Sequence, residues 1–375
     1  MEMIFVYSII PIKDNLQLSG LSGEFTMACL LIAYTAQNLG DDMFVDYICK
    51  RYPNIQFLIV CQPEYSYAFS KLKNLKIFHN EKELRMSLEP VKLQVLIGGS
   101  LFMEPRSQKD IYSKFVSNTQ YRVYKDVPMI IIGANFGPYE TELHFLLHRQ
   151  WFATINYISF RDDYSYSLFK DFSHVTWAPD ILFNYPIPAI KSTRTIVISC
   201  IRNDYRIGLS DYDEESYIVS LCKIAKSYIN MNYRVLLASF CKKQGDDQVA
   251  KKIINRLCSE KAMLISYEGD ILNFLSNILS AEYIIGTRFH SIILGWLAGI
   301  PVFPISYNTK TEAMLKCYGF NGHSSKIESV STDFEYVDYN RVRDIKIPAL
   351  SLIRESKKHF AFMDEYLNKS GDAYE

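Results

Sequence analysis

The sequence has no net charge, no paired cysteines and no apolar run clean enough to cross a membrane. Lys+Arg and Asp+Glu balance at 41 each, which argues against a protein whose main task is gripping a nucleic-acid backbone, because that requires a basic surplus. The eight cysteines (Cys29, Cys49, Cys61, Cys200, Cys222, Cys241, Cys258 and Cys317) form no Cys-x-x-Cys pair and no Cys/His cluster with zinc spacing. Several sit inside apolar runs, as in Ile59-Val60-Cys61, so buried free thiols in a reducing compartment are expected. The longest apolar stretch, Tyr283 to Ile305, carries Arg288 and His290 near its middle and is cut by Pro301 and Pro304. Met1-Glu2-Met3-Ile4-Phe5 lacks the basic start of a signal peptide. The expectation is a cytoplasmic protein with no nucleic-acid partner, no metal, and membrane contact that is peripheral at most.

What is present is apolar mass and a regular alternation. Of 375 residues 49% are apolar, and at about 100–200 residues per domain the length suggests two domains. Val/Ile-rich runs such as Ala28–Ala33, Gln56–Cys61, Met129–Ile132, Thr195–Cys200, Arg234–Ser239 and Tyr283–Ile285 alternate with helical stretches such as Asp41–Arg51, Glu215–Tyr228, Asp247–Cys258 and His290–Leu297. Strands apolar on both faces and separated by helices predict parallel α/β sheets. Asn184–Thr193, with two prolines and no helical period, reads as a linker. The expected organisation is an appendage at 1–26, an α/β domain at 27–185, a linker at 186–193, a second α/β domain at 194–345, and a helix and tail at 346–375. Met27 as an alternative start would leave both domains whole. The predicted class is two doubly wound, Rossmann-like domains facing a cleft, with ligands beyond the carboxyl ends of the strands.

Strand after strand empties into Gly, amide or charge. The first leads to Gln37-Asn38-Leu39-Gly40-Asp41-Asp42, later ones to Gly98-Gly99-Ser100, Gly133-Ala134-Asn135-Phe136-Gly137, Arg161-Asp162-Asp163 and Ala178-Pro179-Asp180. The second half delivers Arg202-Asn203-Asp204, Gly286-Thr287-Arg288-Phe289-His290 and Tyr307-Asn308-Thr309-Lys310. Each has a plain structural reading: Asp41 or Asp162 as a helix cap, Gly98 and Gly99 as a tight turn. Together, on one rim, they suit anion recognition, with backbone N–H groups at helix starts and Arg forks for phosphate or carboxylate. Arg288 and His290 lie about 200° apart on a helix but share a face within a strand–helix turn. His79, His144, His148, His174, His323 and His359 lack such context and read as surface or packing residues.

Taken in order, Asn38-x-Gly40-Asp41-Asp42, Gly98-Gly99, Gly133-x-x-x-Gly137-Pro138, Arg161-Asp162-x-x-Ser165, Pro179-Asp180, Arg202, Arg288-Phe289-His290, Gly299-x-Pro301-Val302 and Tyr307-x-x-Lys310 resemble the polysaccharide pyruvyl transferase family. Ser100 stands where many members have a third Gly, and Phe289 where Leu is usual. The resemblance implies a GT-B-like fold and transfer of pyruvate from phosphoenolpyruvate to a sugar of a capsular or exopolysaccharide, or to its lipid-linked repeat unit, as a cyclic ketal. No cofactor is implied beyond phosphoenolpyruvate as co-substrate. Within that reading His290 is the expected general acid, with Arg288 beside it, and Asp41 or Asp162 would orient or deprotonate the acceptor. Arg202, Arg288, Lys310, Gly98 and Gly99 are expected to bind the donor, and Asn38, Asp42, Asn135, Arg161 and Asp162 the acceptor.

Two other readings compete. A nucleotide-sugar glycosyltransferase of the same fold would need second-half acids to hold a ribose, for which Glu268 and Asp270 are the candidates. A non-catalytic polysaccharide-assembly protein would bind neither donor.

Overall fold

A computed structural model describes residues 27–87, 89–202, 213–307, 309–333 and 349–371; the side chains of 309, 310 and 369–371 fall outside that description. The appendage expected at 1–26 also lies outside the described residues. The first sheet contains β1 (Ala28–Ile32), β2 (Gln56–Val60), β3 (Leu75–Phe78), β4 (Val91–Ile97), β5 (Met129–Ala134), β6 (Tyr157–Phe160) and β7 (Val175–Trp177). Its order is β3-β2-β1-β4-β5-β6-β7, and every pairing is parallel. Helices α1 (Leu39–Arg51), α2 (Glu81–Met86), α3 (Ile111–Thr119), α4 (Glu142–Phe152) and α5 (Asp163–Phe169) connect these strands. β5 is buried at every residue, as expected of a parallel strand covered on both faces.

The second sheet contains β8 (Thr195–Ser199), β9 (Arg234–Ser239), β10 (Ala262–Ser266), β11 (Tyr283–Gly286), β12 (Val302–Ser306) and β13 (Ser325–Lys326). Its order, β10-β9-β8-β11-β12-β13, is also wholly parallel. Its helices are α6 (Glu214–Asn230), α7 (Asp246–Leu257), α8 (Ile271–Leu279), α9 (Phe289–Leu297) and α10 (Thr309–Cys317). Residues 186–193 between the sheets carry no regular element. The chain ends in α11 (Ala349–Ser356), a 3-10 turn and α12 (Ala361–Gly371), which return to the first domain: Asp364 accepts from Arg51 (2.7 Å) and Tyr52 (2.6 Å), and Tyr366 donates to Lys92 O (2.9 Å). No helix among the described residues is long and apolar enough to cross a membrane.

In both sheets the strand order reverses beside the first strand, between β1 and β4 and between β8 and β11. That reversal opens a crevice at the carboxyl ends where ligands bind in doubly wound sheets. α1 leaves the first crevice and α9 the second. α1 is buried around most of its circumference, at Leu39, Met43, Phe44, Val45 and Ile48, because it is sandwiched between the domains. One apolar cluster runs through it from Ile97 and Ile132 to Phe240, Phe274 and Leu294. Leu39 N–H, at the start of α1, donates across the seam to Phe240 O (3.1 Å).

Candidate active site

The two crevices face each other, and the N-termini of α1 and α9 meet there. His290 sits in the first turn of α9. Its ring lies edge-on to Phe44 and Phe289, with centroids 5.4 Å away in each case. It also packs against the bare Cα of Gly40: a Cβ built there would fall 1.7 Å from His290 Nδ1. His290 Nε2 is buried, makes no hydrogen bond among the described residues, and lies 3.8 Å from Asp180 Oδ2.

Asp180 follows β7 and is fully buried. Its Oδ1 accepts from Leu182 N–H (3.0 Å), and Oδ2 accepts from Arg161 Nη1 (3.1 Å). Burial alone would raise this carboxyl, but His290, Arg161 and the Leu182 N–H outweigh it and bring it down to about 2. Arg161, at the end of β6, spreads its other edge to Asn135 Oδ1 (2.9 Å) and Ser100 Oγ (3.4 Å), and stacks over the Phe289 ring at 4.2 Å. Gly99 makes this possible, since a Cβ there would fall 2.7 Å from the guanidinium. Asp41, in the first turn of α1, is half-buried. Desolvation raises its carboxyl to about 6 against the pull of His290, Arg161 and Arg288.

Beside this cluster lies a cavity of about 330 Å³ between the domains. The first domain contributes Asn135, Phe136, Pro138, Arg161, Asp162 and Tyr164; Phe289, Ala313, Met314 and Tyr318 close it from the second. Arg161 is the one cation lining it among the described residues. Tyr318 joins the walls, accepting from Asp180 N–H (2.9 Å) and donating to Arg161 O (3.0 Å).

Of the residues singled out by sequence, His290, Asp41, Arg161 and Asn135 gather here. Arg288, expected to bind an anion, is held by acceptors of its own domain. Its Nε donates to Asp246 Oδ2 (2.8 Å), Nη2 to Asp246 Oδ1, and Nη1 to Gln244 Oε1 (2.7 Å). Asp42, expected to bind the acceptor, is buried in the seam, where Tyr267 donates to its Oδ2 (2.8 Å) and its Oδ1 makes no hydrogen bond among the described residues. Asn38 caps α1 through Gly40 N–H (3.1 Å), and Asp162 caps α5 through Ser165 N–H (2.7 Å) while also bordering the cavity. Gly98 takes φ +152°, a conformation open to glycine, and with Gly99 forms the turn under Arg161. Arg202 donates to Gln248 (2.9 Å) and packs on Gly245, apart from the cavity lining. Lys310 belongs to α10, with its side chain outside the described residues. The acids suggested for a ribose are engaged elsewhere: Glu268 pairs with Lys242 (3.3 Å), and Asp270 caps α8 through Asn273 N–H (3.0 Å).

Sequence reasoning noticed Asp180 as part of a strand-end motif and gave it no role. Tyr318 and Asp246 were missed, and no local signal marks them.

The polysaccharide pyruvyl transferase family model matches residues 38–309. The amylovoran biosynthesis protein AmsJ of Erwinia amylovora is 21% identical over 300 residues, covering 72% of this chain and 70% of AmsJ. Among solved structures, the UDP complex of S. aureus MnaA superposes with a TM-score of 0.60 at 12% identity, over 91% of this chain and 97% of that one. The UDP-GlcNAc 2-epimerase of Neisseria meningitidis bound to UDP-GlcNAc gives 0.56 at 12%, over 92% and 99%. At these identities the likeness is one of fold, and it makes the two-domain arrangement GT-B-like.

Proposed function

We propose, from the premise that the chain belongs to the polysaccharide pyruvyl transferase family, that it moves pyruvate from phosphoenolpyruvate onto two hydroxyls of a saccharide, forming a cyclic ketal and releasing phosphate. The observation that carries this reading is His290 Nε2: buried, without a hydrogen bond among the described residues, beside a carboxylate, and one residue along the chain from Phe289 of the cavity wall. In this reading the imidazole is the proton donor to a ligand that enters the cleft.

Protonation of the enol methylene by His290 Nε2–H makes the methyl group and leaves oxocarbenium character at the neighbouring carbon. A sugar hydroxyl adds to that carbon and loses its proton to Asp41, whose raised carboxyl suits a base working near neutrality. The C–O bond to phosphate then breaks, the second hydroxyl closes the ring, and its proton leaves with the phosphate. Of the two hydroxyl protons, one thus replaces the proton given to the methyl group and one ends on phosphate. Asp180 Oδ2, 3.8 Å from Nε2, faces the imidazole and holds it in orientation. Arg161, the cation at the cavity wall, attracts the anionic end of the donor, with Arg202 and Lys310 as further donor groups. The apolar wall of Phe136, Tyr164 and Phe289 takes the C–H face of the acceptor ring.

The test is to incubate the chain with phosphoenolpyruvate and candidate galactosides or N-acetylhexosamines, then follow the acceptor by mass spectrometry alongside released phosphate. A pyruvyl ketal with equimolar phosphate is expected. Turnover of UDP-sugars in place of phosphoenolpyruvate, with UDP rather than phosphoenolpyruvate raising Tm, would overturn the proposal.

A further inference from the structure

The carboxylate of Asp180 works only if its main chain is fixed, and most of what fixes it comes from remote segments. Its N–H is held by Tyr318 (2.9 Å) of the second domain. Its C=O accepts from Ser356 Oγ (2.8 Å), the last residue of α11, and Ser356 Oγ in turn accepts from Asn184 Nδ2 (2.6 Å). One residue earlier, Pro179 O meets His359 Nε2 at 2.8 Å, while His359 Nδ1 lies 2.7 Å from Ser159 Oγ. A carbonyl can only accept, so Nε2 carries the proton and Nδ1 accepts from the Ser159 hydroxyl. Ser356 and His359 are both fully buried, and burial pushes the His359 imidazole down to about 4, so it stays neutral.

We infer that the C-terminal segment from α11 to His359 is a positioning device for the active site, with Ser356 and His359 as positioning residues that aim the Asp180 carboxylate between Arg161 and His290. The inference rests on the reading of His290 and Asp180 as the reacting pair. Neither residue touches substrate. They act by fixing the carbonyls on either side of the Asp180 Cα, so a lost bond lets the carboxylate swing away from an imidazole already 3.8 Å distant. The rest of the segment is held independently, by Asp364 with Arg51 and Tyr52. That separation makes anchoring and aiming distinguishable.

The experiment compares Ser356→Ala, Ser356→Thr and Asp364→Asn in the full chain, measuring Tm, kcat, KM for phosphoenolpyruvate and the NMR signals of the His290 ring. Ser356→Ala is expected to lower kcat about ten- to a hundredfold, as small misplacements in an active site do, to leave KM within about twofold if the change is confined to transition-state geometry, and to move the His290 signals. Ser356→Thr, which keeps the hydroxyl, restores both. Asp364→Asn loosens the same segment and lowers Tm, yet leaves kcat and the His290 signals in place. Unmoved His290 signals in Ser356→Ala, or signals and kcat that follow Tm equally in all three variants, would overturn the inference. Should the unmutated chain give no ketal, the reading of the reaction fails, and the NMR comparison still decides whether Ser356 aims Asp180 at His290.

Discussion

Each domain buries one arginine–aspartate pair at the mouth of its sheet, and by exposure alone the two are twins. The side chains of Arg161 and Asp180 are 7% and 0% exposed; those of Arg288 and Asp246 are 9% and 0%. What separates them is saturation. Asp246 gives both oxygens to Arg288 and also accepts from Phe240 and Cys241 N–H (3.2 and 3.1 Å), while Gln244 takes the remaining edge of the arginine. Asp180 instead shares one oxygen between Arg161 and an imidazole whose Nε2 makes no hydrogen bond among the described residues. A closed ring of donors and acceptors is scaffold; a ring with one nitrogen left over is a place where chemistry can happen. Burial and charge, the usual signposts, do not tell them apart.

The sharpest way to break this comparison is to neutralise each acid. Asp180→Asn should cost about 10²–10⁴-fold in kcat, because His290 loses the carboxylate that faces its Nε2, while the amide keeps the cap on Leu182. Asp246→Ala should instead cost about 3–5 kcal/mol of stability by stranding a buried guanidinium, read as a lower denaturation midpoint with activity falling in parallel. An Asp180→Asn chain with normal turnover, or an Asp246→Ala chain of normal stability, would erase the distinction.

Acid should sharpen it. Asp180 is held at about 2, below its ordinary value, so the stability it contributes is present above the unfolded pKa of about 3.9 and is lost as pH falls from there through about 2. Asp41, raised to about 6, is protonated first and can no longer take a hydroxyl proton. Turnover should therefore fall about tenfold per unit as pH drops below 6, and Asp41→Asn should flatten that limb along with the rate.

Folding should respond to acid elsewhere. His148 is fully buried, its Nδ1 donating to His144 O (2.9 Å) and its Nε2 lying 3.0 Å from Asn118 Nδ2. Burial lowers it to about 3. The unfolded chain, titrating near 6.5, binds the extra proton first, so stability drops as pH falls below about 6.5 and the loss levels off near 3. At pH 5 this amounts to about 2 kcal/mol. His148→Leu should reduce the slope of Tm against pH by that share; an unchanged slope would remove His148 from the account.

The smallest effect is expected at the cavity wall. Tyr164 is half exposed (50%), and Tyr164→Ala should raise the acceptor KM a few-fold, the loss of about 1 kcal/mol of ring contact, with donor KM unchanged.

The sequence makes the sheets legible and the site only half so, for one reason. Parallel strands buried on both faces leave a continuous Val/Ile signature, as in Met129–Ile132 and Thr195–Cys200, so β5 and β8 could be placed within a residue or two. Strand ends are equally visible, and through them Arg161, His290 and Asp41. Which of those residues has a free edge depends on partners far along the chain. Asp246, which fills the Arg288 fork, is 42 residues away, on a helix whose pattern says nothing about arginine. Asp180 was visible beside Pro179 but acquires meaning only when α9 brings His290 to it. His359, read from sequence as a packing residue, is that, and what it packs is the backbone beside Asp180.

Gly40 carries a last consequence. It belongs to one domain and His290 to the other, and the imidazole occupies the space where any side chain at position 40 would begin. The distance between the two halves of the molecule is thus gauged by the thickness of a bare peptide. A single methyl at that point would act as a shim, keeping the domains ajar and holding His290 of one half away from Asp41 of the other, with both side chains still present.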